Sequence, residues 1–122
     1  MENQKIKSFT DLYAWQEGHK LVLIIYSLTD KFPKKEIFGL SNQIRRAAVS
    51  ITSNIAEGFS RSTNKDKAQF YSVALGSLTE VQNQLIIARD VSCVSKTEFL
   101  KVAEKTIAAA KLINGLKRIK NK

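Results

Sequence analysis

A chain of 122 residues is the length of one domain, and at that size roughly two thirds of the unfolded surface can be buried, so one hydrophobic core suffices. Hydrophobic residues make up 43% and charged residues 25%, which excludes global disorder, and the longest strictly apolar run, Leu21 to Tyr26, is far below the roughly 20 residues of a membrane helix. One Cys excludes an internal disulfide and fits a reducing cytoplasm, and 20 Lys and Arg against 11 Asp and Glu give a net charge of +9, a field that attracts polyanions without naming one.

Residues 1 to 8 read as a polar leader without the apolar segment of a secretion signal. Thr10 and Asp11 then offer an N-cap and a first-turn acid for a helix predicted over 11–31, which has to stop before Pro33. Leu12, Trp15, His19, Val22, Leu23 and Tyr26 share one face of it, with Ala14, Leu21, Ile25 and Leu28 nearly opposite. A helix apolar almost all round needs covering on both sides, so Leu21, Ile25 and Leu28 are candidate contacts with a neighbouring subunit.

A second helix is predicted over 41–59. Leu40, Ile44, Ala47, Ala48, Ile51, Ile55 and Phe59 form its apolar stripe, while Arg46, Ser50, Ser53, Asn54, Glu57 and Arg61 line the opposite side. Small hydroxyl and amide groups mixed with Arg allow another backbone or a polar ligand to come close, which makes Arg46, Ser50, Asn54 and Glu57 candidate interface residues. Gly58 stands where a left-handed cap would close this helix.

The turn formers Ser60 to Asn64 lead into a third helix, predicted over 65–91, with Phe70, Ala74, Ser77, Leu78, Val81, Leu85 and Ala88 as its buried stripe. Gly76 inside it points to a close helix contact, since Gly there costs about 1 kcal/mol relative to Ala. Ser95-Lys96-Thr97-Glu98 has the form of a capping box and starts a fourth helix, predicted over 96–119, with Phe99, Val102, Ala103, Thr106, Ala110 and Ile113 facing the core. Four helices joined by short loops make the fold class all-α: one antiparallel up-down-up-down four-helix bundle spanning 1–122.

The residues that carry chemistry elsewhere are thinly supplied. A di-iron bundle needs inward Glu and Glu-x-x-His pairs, and the sole His19 has neither, so no metal or cofactor is expected. Cys93 lies in a helix connector far in sequence from that His and reads as a small filler rather than a nucleophile. Single scattered Gly residues make no phosphate loop, and Glu57 and Glu80 suit ion pairs with Arg45, Arg46 or Arg61 better than acid-base catalysis. The chain is therefore read as a non-enzyme.

The run Gln43 to Ile51, continuing through Ser53 to Gly58, resembles the signature of the bacterial four-helix bundle proteins also called 23S rRNA intervening-sequence proteins. Phe9 to Gln16, Phe32-Pro33 with Glu36, Phe38 to Leu40, and Gly76 to Glu80 are similar to the same family's other marks, so the resemblance runs in order from about Phe9 to Leu85. Some relatives are encoded inside insertions in large-subunit ribosomal RNA genes, and others are accessory proteins of diversity-generating retroelements. The resemblance implies an antiparallel four-helix protomer, a homopentameric ring and RNA binding.

Charge is uneven, with eight basic against six acidic residues in 1–60 and twelve against five in 61–122. Arg45, Arg46, Arg61, Lys65, Lys67, Lys111, Lys117, Arg118 and Lys120 are the candidate phosphate contacts. Most aromatic residues fall on core faces, which argues for shape and phosphate readout over base stacking. Two expectations stand side by side: a homo-oligomer whose basic surface binds structured RNA, or an interaction module whose partner is another protein and whose charge has no nucleic-acid role.

Overall fold

A computed structural model describes residues 5–119 and contains four long helices: α1 (Tyr13–Thr29), α2 (Asn42–Phe59), α3 (Asn64–Asp90) and α4 (Lys96–Lys117). Each packs against its neighbours in sequence, and α1 closes the square against α4, so the bundle is antiparallel and up-down-up-down. The starts of α1 and α3 therefore share one end with the last turns of α2 and α4.

Local chemistry sets the helix ends. A 3₁₀ turn (Phe9–Asp11) precedes α1, and its cap is Ser8 rather than the expected Thr10: the Asp11 carboxylate accepts the amides of Lys7 and Ser8 at 2.9 and 3.0 Å. After Pro33, the turn Lys34–Glu36 and a π-helical turn (Ile37–Ser41) lead into α2, with the backbone broken at Gly39 (φ −108°, ψ −110°). Thr63 caps α3, and the Ser95/Glu98 capping box forms as its spacing predicts. Between α3 and α4, Ser92 takes φ +66°, while the amides of Cys93 and Ser92 close on the carbonyls of Ala88 and Arg89 at 2.8 and 3.1 Å. This is a Schellman ending built on Ser where Gly would be unstrained.

Ile25, Ile44, Ala48, Ile51, Ile55, Ala74, Val81, Leu85, Ala109 and Ile113 lie at the centre, fully enclosed. Each large aliphatic side chain among them contributes about 1.5–3 kcal/mol of transfer free energy. The stripes read for α2 and α3 hold across these positions, with shifts at the rims. Tyr71 is buried where Phe70 was expected, and Ala109 is buried more deeply than Ala110.

Three expectations are corrected. Leu21, Ile25 and Leu28 are 1%, 0% and 6% exposed inside a single protomer, so they form its own core and offer nothing to a neighbouring subunit. On the opposite face, Leu23 and Tyr26 turn outward while Val22 is buried, and Gly18 lies in the α1–α2 contact, where a Cβ would stand 3.1 Å from Thr52 Cγ2. Gly58 is an interior helical residue, not a left-handed cap: a Cβ there would stand 2.7 Å from Tyr71 Cε1, so the glycine makes space for that ring. Gly76 meets nothing within 4 Å and makes no close contact in the protomer.

Candidate functional site

The basic residues divide into those the fold consumes and those it leaves exposed. Arg45 belongs to the first group. Its Nε donates to Thr29 Oγ1 at 2.6 Å, its Nη2 pairs with Asp30 at 3.1 Å, and its guanidinium lies 4.8 Å from the Tyr26 ring centroid, which clamps α1 to α2. Arg61 pairs with Glu57 at 2.6 Å and lies over Phe70. Lys67 Nζ donates to the Phe59 carbonyl at 2.7 Å, completing the C-terminus of α2 from the first turn of α3. Arg45 and Lys67 are thus engaged in holding the bundle and are withdrawn as free phosphate contacts.

Arg46, Lys65, Lys111, Lys117 and Arg118 are exposed and make no ion pair among the described residues; Lys120 lies outside them. Antiparallel packing brings Lys65, on the first turn of α3, to the same end as Lys117 and Arg118 at the close of α4. A small cavity lined by Asn64, Lys67, Tyr71 and Lys117 marks where the two helices meet. Arg46 lies towards the other end of the bundle, and Lys111 sits beside Glu17 and Glu104 along the α1–α4 groove.

Two further cations, Lys5 and Lys7, were missed in the sequence. Residues 5–8 fold back beside α4, with Ile6 sharing a hollow with Tyr13, Leu116 and Ile119, so both exposed lysines join this basic end. The signal for them was the Ser8-x-x-Asp11 spacing, whose capping box ties residues 7 and 8 to the turn before α1. Cations outnumber the acids there, Asp11, Glu57 and Asp66, and two of those acids are occupied by the capping turn and by Arg61. At the opposite end Lys31–Glu98, Arg45–Asp30 and Arg89–Asp90 are ion-paired, which leaves Lys34, Lys35 and Lys96 exposed without an ion pair among the described residues.

The α2 polar face is partly spent within the chain. Ser50 Oγ and Ser77 Oγ of α3 are 2.8 Å apart, and Asn54 Nδ2 donates to the Ser50 carbonyl and hydroxyl. These groups join α2 to α3, and Glu57 is held by Arg61. One turn from the Ser50–Ser77 contact, Arg46 and Glu80 project along the same outer edge, exposed and carrying no ion pair among the described residues.

No group of three or more His, Cys, Asp or Glu among the described residues could hold a metal ion. Burial raises the Cys93 thiol above its ordinary value, with Glu36 adding to the shift, which keeps it protonated and weakly reactive. His19 is exposed and stacks on Trp15 at 4.8 Å, rather than being enclosed by the core.

A family model described as 23S rRNA-intervening sequence protein matches residues 10–115. The chain belongs to that family. The match extends beyond the motifs in α2 and α3 and takes in most of α4. Among solved structures, a Bacteroides thetaiotaomicron protein of unknown function from the S23 ribosomal protein family superposes with a TM-score of 0.77 at 17% identity, over 87% of this chain and 99% of that one. At that identity the likeness shows the fold. Comparison with curated proteins finds no match. No helix among the described residues is long and apolar enough to cross a membrane.

Proposed function

We propose that this family member is a non-enzymatic, cytoplasmic, self-assembling bundle that binds structured RNA through the end where α3 begins and α4 finishes. The observation that carries the reading is a difference in uncompensated charge: Lys5, Lys7, Lys65, Lys117 and Arg118 carry no ion pair among the described residues at this end, whereas the other end holds three of the five ion pairs and leaves only Lys34, Lys35 and Lys96, with Glu36 among them. Unpaired cations at one pole suit phosphates, and each contact would release condensed counterions. Assembly into the homopentameric ring implied by the family resemblance would repeat that pole around an axis. Arg46 and Glu80 on the α2–α3 edge supply opposite charges for such a contact.

Fluorescence anisotropy against a labelled structured RNA and a matched DNA, at two salt concentrations, tests the RNA reading. Replacing Lys65, Lys117 and Arg118 together by Gln is expected to weaken RNA binding and to lower the salt slope by about one per lost phosphate contact. Arg45→Gln should leave affinity unchanged while lowering stability. Equal weak binding to RNA and DNA, indifferent to the triple variant, would defeat the reading.

A second reading, a module for a protein partner, is favoured by one observation. Phe38 in the turn before α2 is 93% exposed, with Ile37 beside it, and Ile87 and Val91 are exposed on the last turns of α3 at the same end. Large apolar groups gathered there fit a protein contact rather than phosphate.

A further inference from the structure

A groove of about 330 Å³ runs between the second half of α1 and the first half of α4. Ile24, Leu28 and Val102 make its apolar floor, and Lys31, Lys101 and Lys105 stand at its rim. Glu98, the acid in this lining, pairs with Lys31 at 2.8 Å and closes the capping box with Ser95, so its charge is already committed. Lys101 and Lys105 lie four residues apart on one side of α4, exposed and forming no ion pair among the described residues. Like charges at this spacing repel across a helical turn, and neither lysine is drawn into an ion pair with Glu98 or Glu104, which stand three residues to either side of Lys101.

We infer that this groove binds a free, single-chain anionic amphiphile of medium length, a fatty carboxylate, with its alkyl chain on Ile24, Leu28 and Val102 and its carboxylate between Lys101 and Lys105. From Glu98 to Lys105 the groove extends about 10 Å along the helix axis, which suits one alkyl chain of moderate length. Its volume falls at the lower end of the range for small-molecule sites. Charge separates this ligand from a nucleic acid: the next hollow between α1 and α4 is lined by Glu104, by Lys111 and by Glu17, which is paired with Lys20 at 3.0 Å, so no continuous run of free cations extends along the two helices for a long polyanion. The site is distinct from the basic end proposed for RNA.

Decanoate, kept below its micelle concentration, is the probe, titrated into the full chain while backbone amide shifts are followed. Saturable shifts are expected at Ile24, Ser27, Leu28, Lys101, Val102 and Lys105. The double variant Lys101→Glu, Lys105→Glu should bind about tenfold more weakly, as the loss of two charge-assisted contacts implies. Ser27→Trp, which fills the groove mouth and leaves the charge intact, should also abolish the shifts. The pair Lys34→Glu and Lys35→Glu makes the same change in net charge outside the groove and should bind like the wild type. Decanol should bind more weakly than decanoate. The proposal is overturned by shifts confined to other surfaces, by equal loss in the control pair, by decanol binding equally well, or by response only to anionic vesicles. Protection of the groove by a second copy of the chain would overturn it as well.

Discussion

At Gly58 and Gly76 the same residue type has opposite consequences. A methyl group at Gly58 would meet the enclosed Tyr71 ring at 2.7 Å and Phe70 Cβ at 3.1 Å, so Gly58→Ala should destabilise the fold by about 1–3 kcal/mol despite its better helix propensity. Gly76→Ala meets open space and should stabilise an isolated protomer by about 1 kcal/mol. Urea denaturation of both variants checks the pair, and a Gly76→Ala protein that loses assembly instead would locate a neighbour against α3. Neither outcome was legible in the sequence, where Gly58 reads as a left-handed cap and Gly76 as a close helix contact. Arg45 teaches the same lesson: its charge was visible, but the Thr29, Asp30 and Tyr26 partners come from another helix. Arg45→Lys should cost about 1 kcal/mol because an ammonium cannot reproduce the fork and the stacking together.

The elements themselves were largely readable, because caps and periodicity are local. The Ser95/Glu98 box and the α2 stripe from Ile44 to Ile55 are present as the spacing predicts. The place where α3 ends agrees with the predicted 65–91, but its left-handed closure was not foreseen, since Ser92 gives no glycine signal; Ser92→Gly should raise stability by about 1 kcal/mol by relieving a left-handed residue, measured by thermal melting. Acid sensitivity follows from the same caps. Backbone amides of Lys7 and Ser8 hold the Asp11 carboxyl below its usual range, and Lys31 followed by the Ser95 amide does so for Glu98. A depressed carboxyl contributes its stability in full above the ordinary carboxylate range and loses it as pH falls through the lowered value. Helix ends should therefore fray first on acidification, seen as early amide exchange at residues 7–11 and 95–98.

For the whole molecule, the decisive feature is which ends of the helices meet. Ile51→Ala, at the centre of the core, should cost about 2–5 kcal/mol by leaving a cavity, whatever the partner. Arg46→Glu should instead alter mass by light scattering with little change in melting, and adding Glu80→Arg should restore association if the two edges meet across a subunit contact. A stable monomer at micromolar concentration in the unaltered protein would refute that assembly.

The order and type of the four helices, the Ser95/Glu98 capping box and the centres of the α2, α3 and α4 stripes follow from the sequence alone, since 3.6-residue periodicity and capping chemistry act within a few residues. Which half of α1 faces inward was decided only by tertiary structure. With apolar residues on both sides, the inward face is selected by burying Ala14, Leu21, Val22, Ile25 and Leu28 against residues far apart in the chain, with Gly18 close to Thr52 in the same contact. The same holds for the basic surface. Composition determined that cations are in excess, but antiparallel packing decided that Lys5, Lys7, Lys65, Lys117 and Arg118 share one end, while Arg45 and Lys67 are spent joining helices.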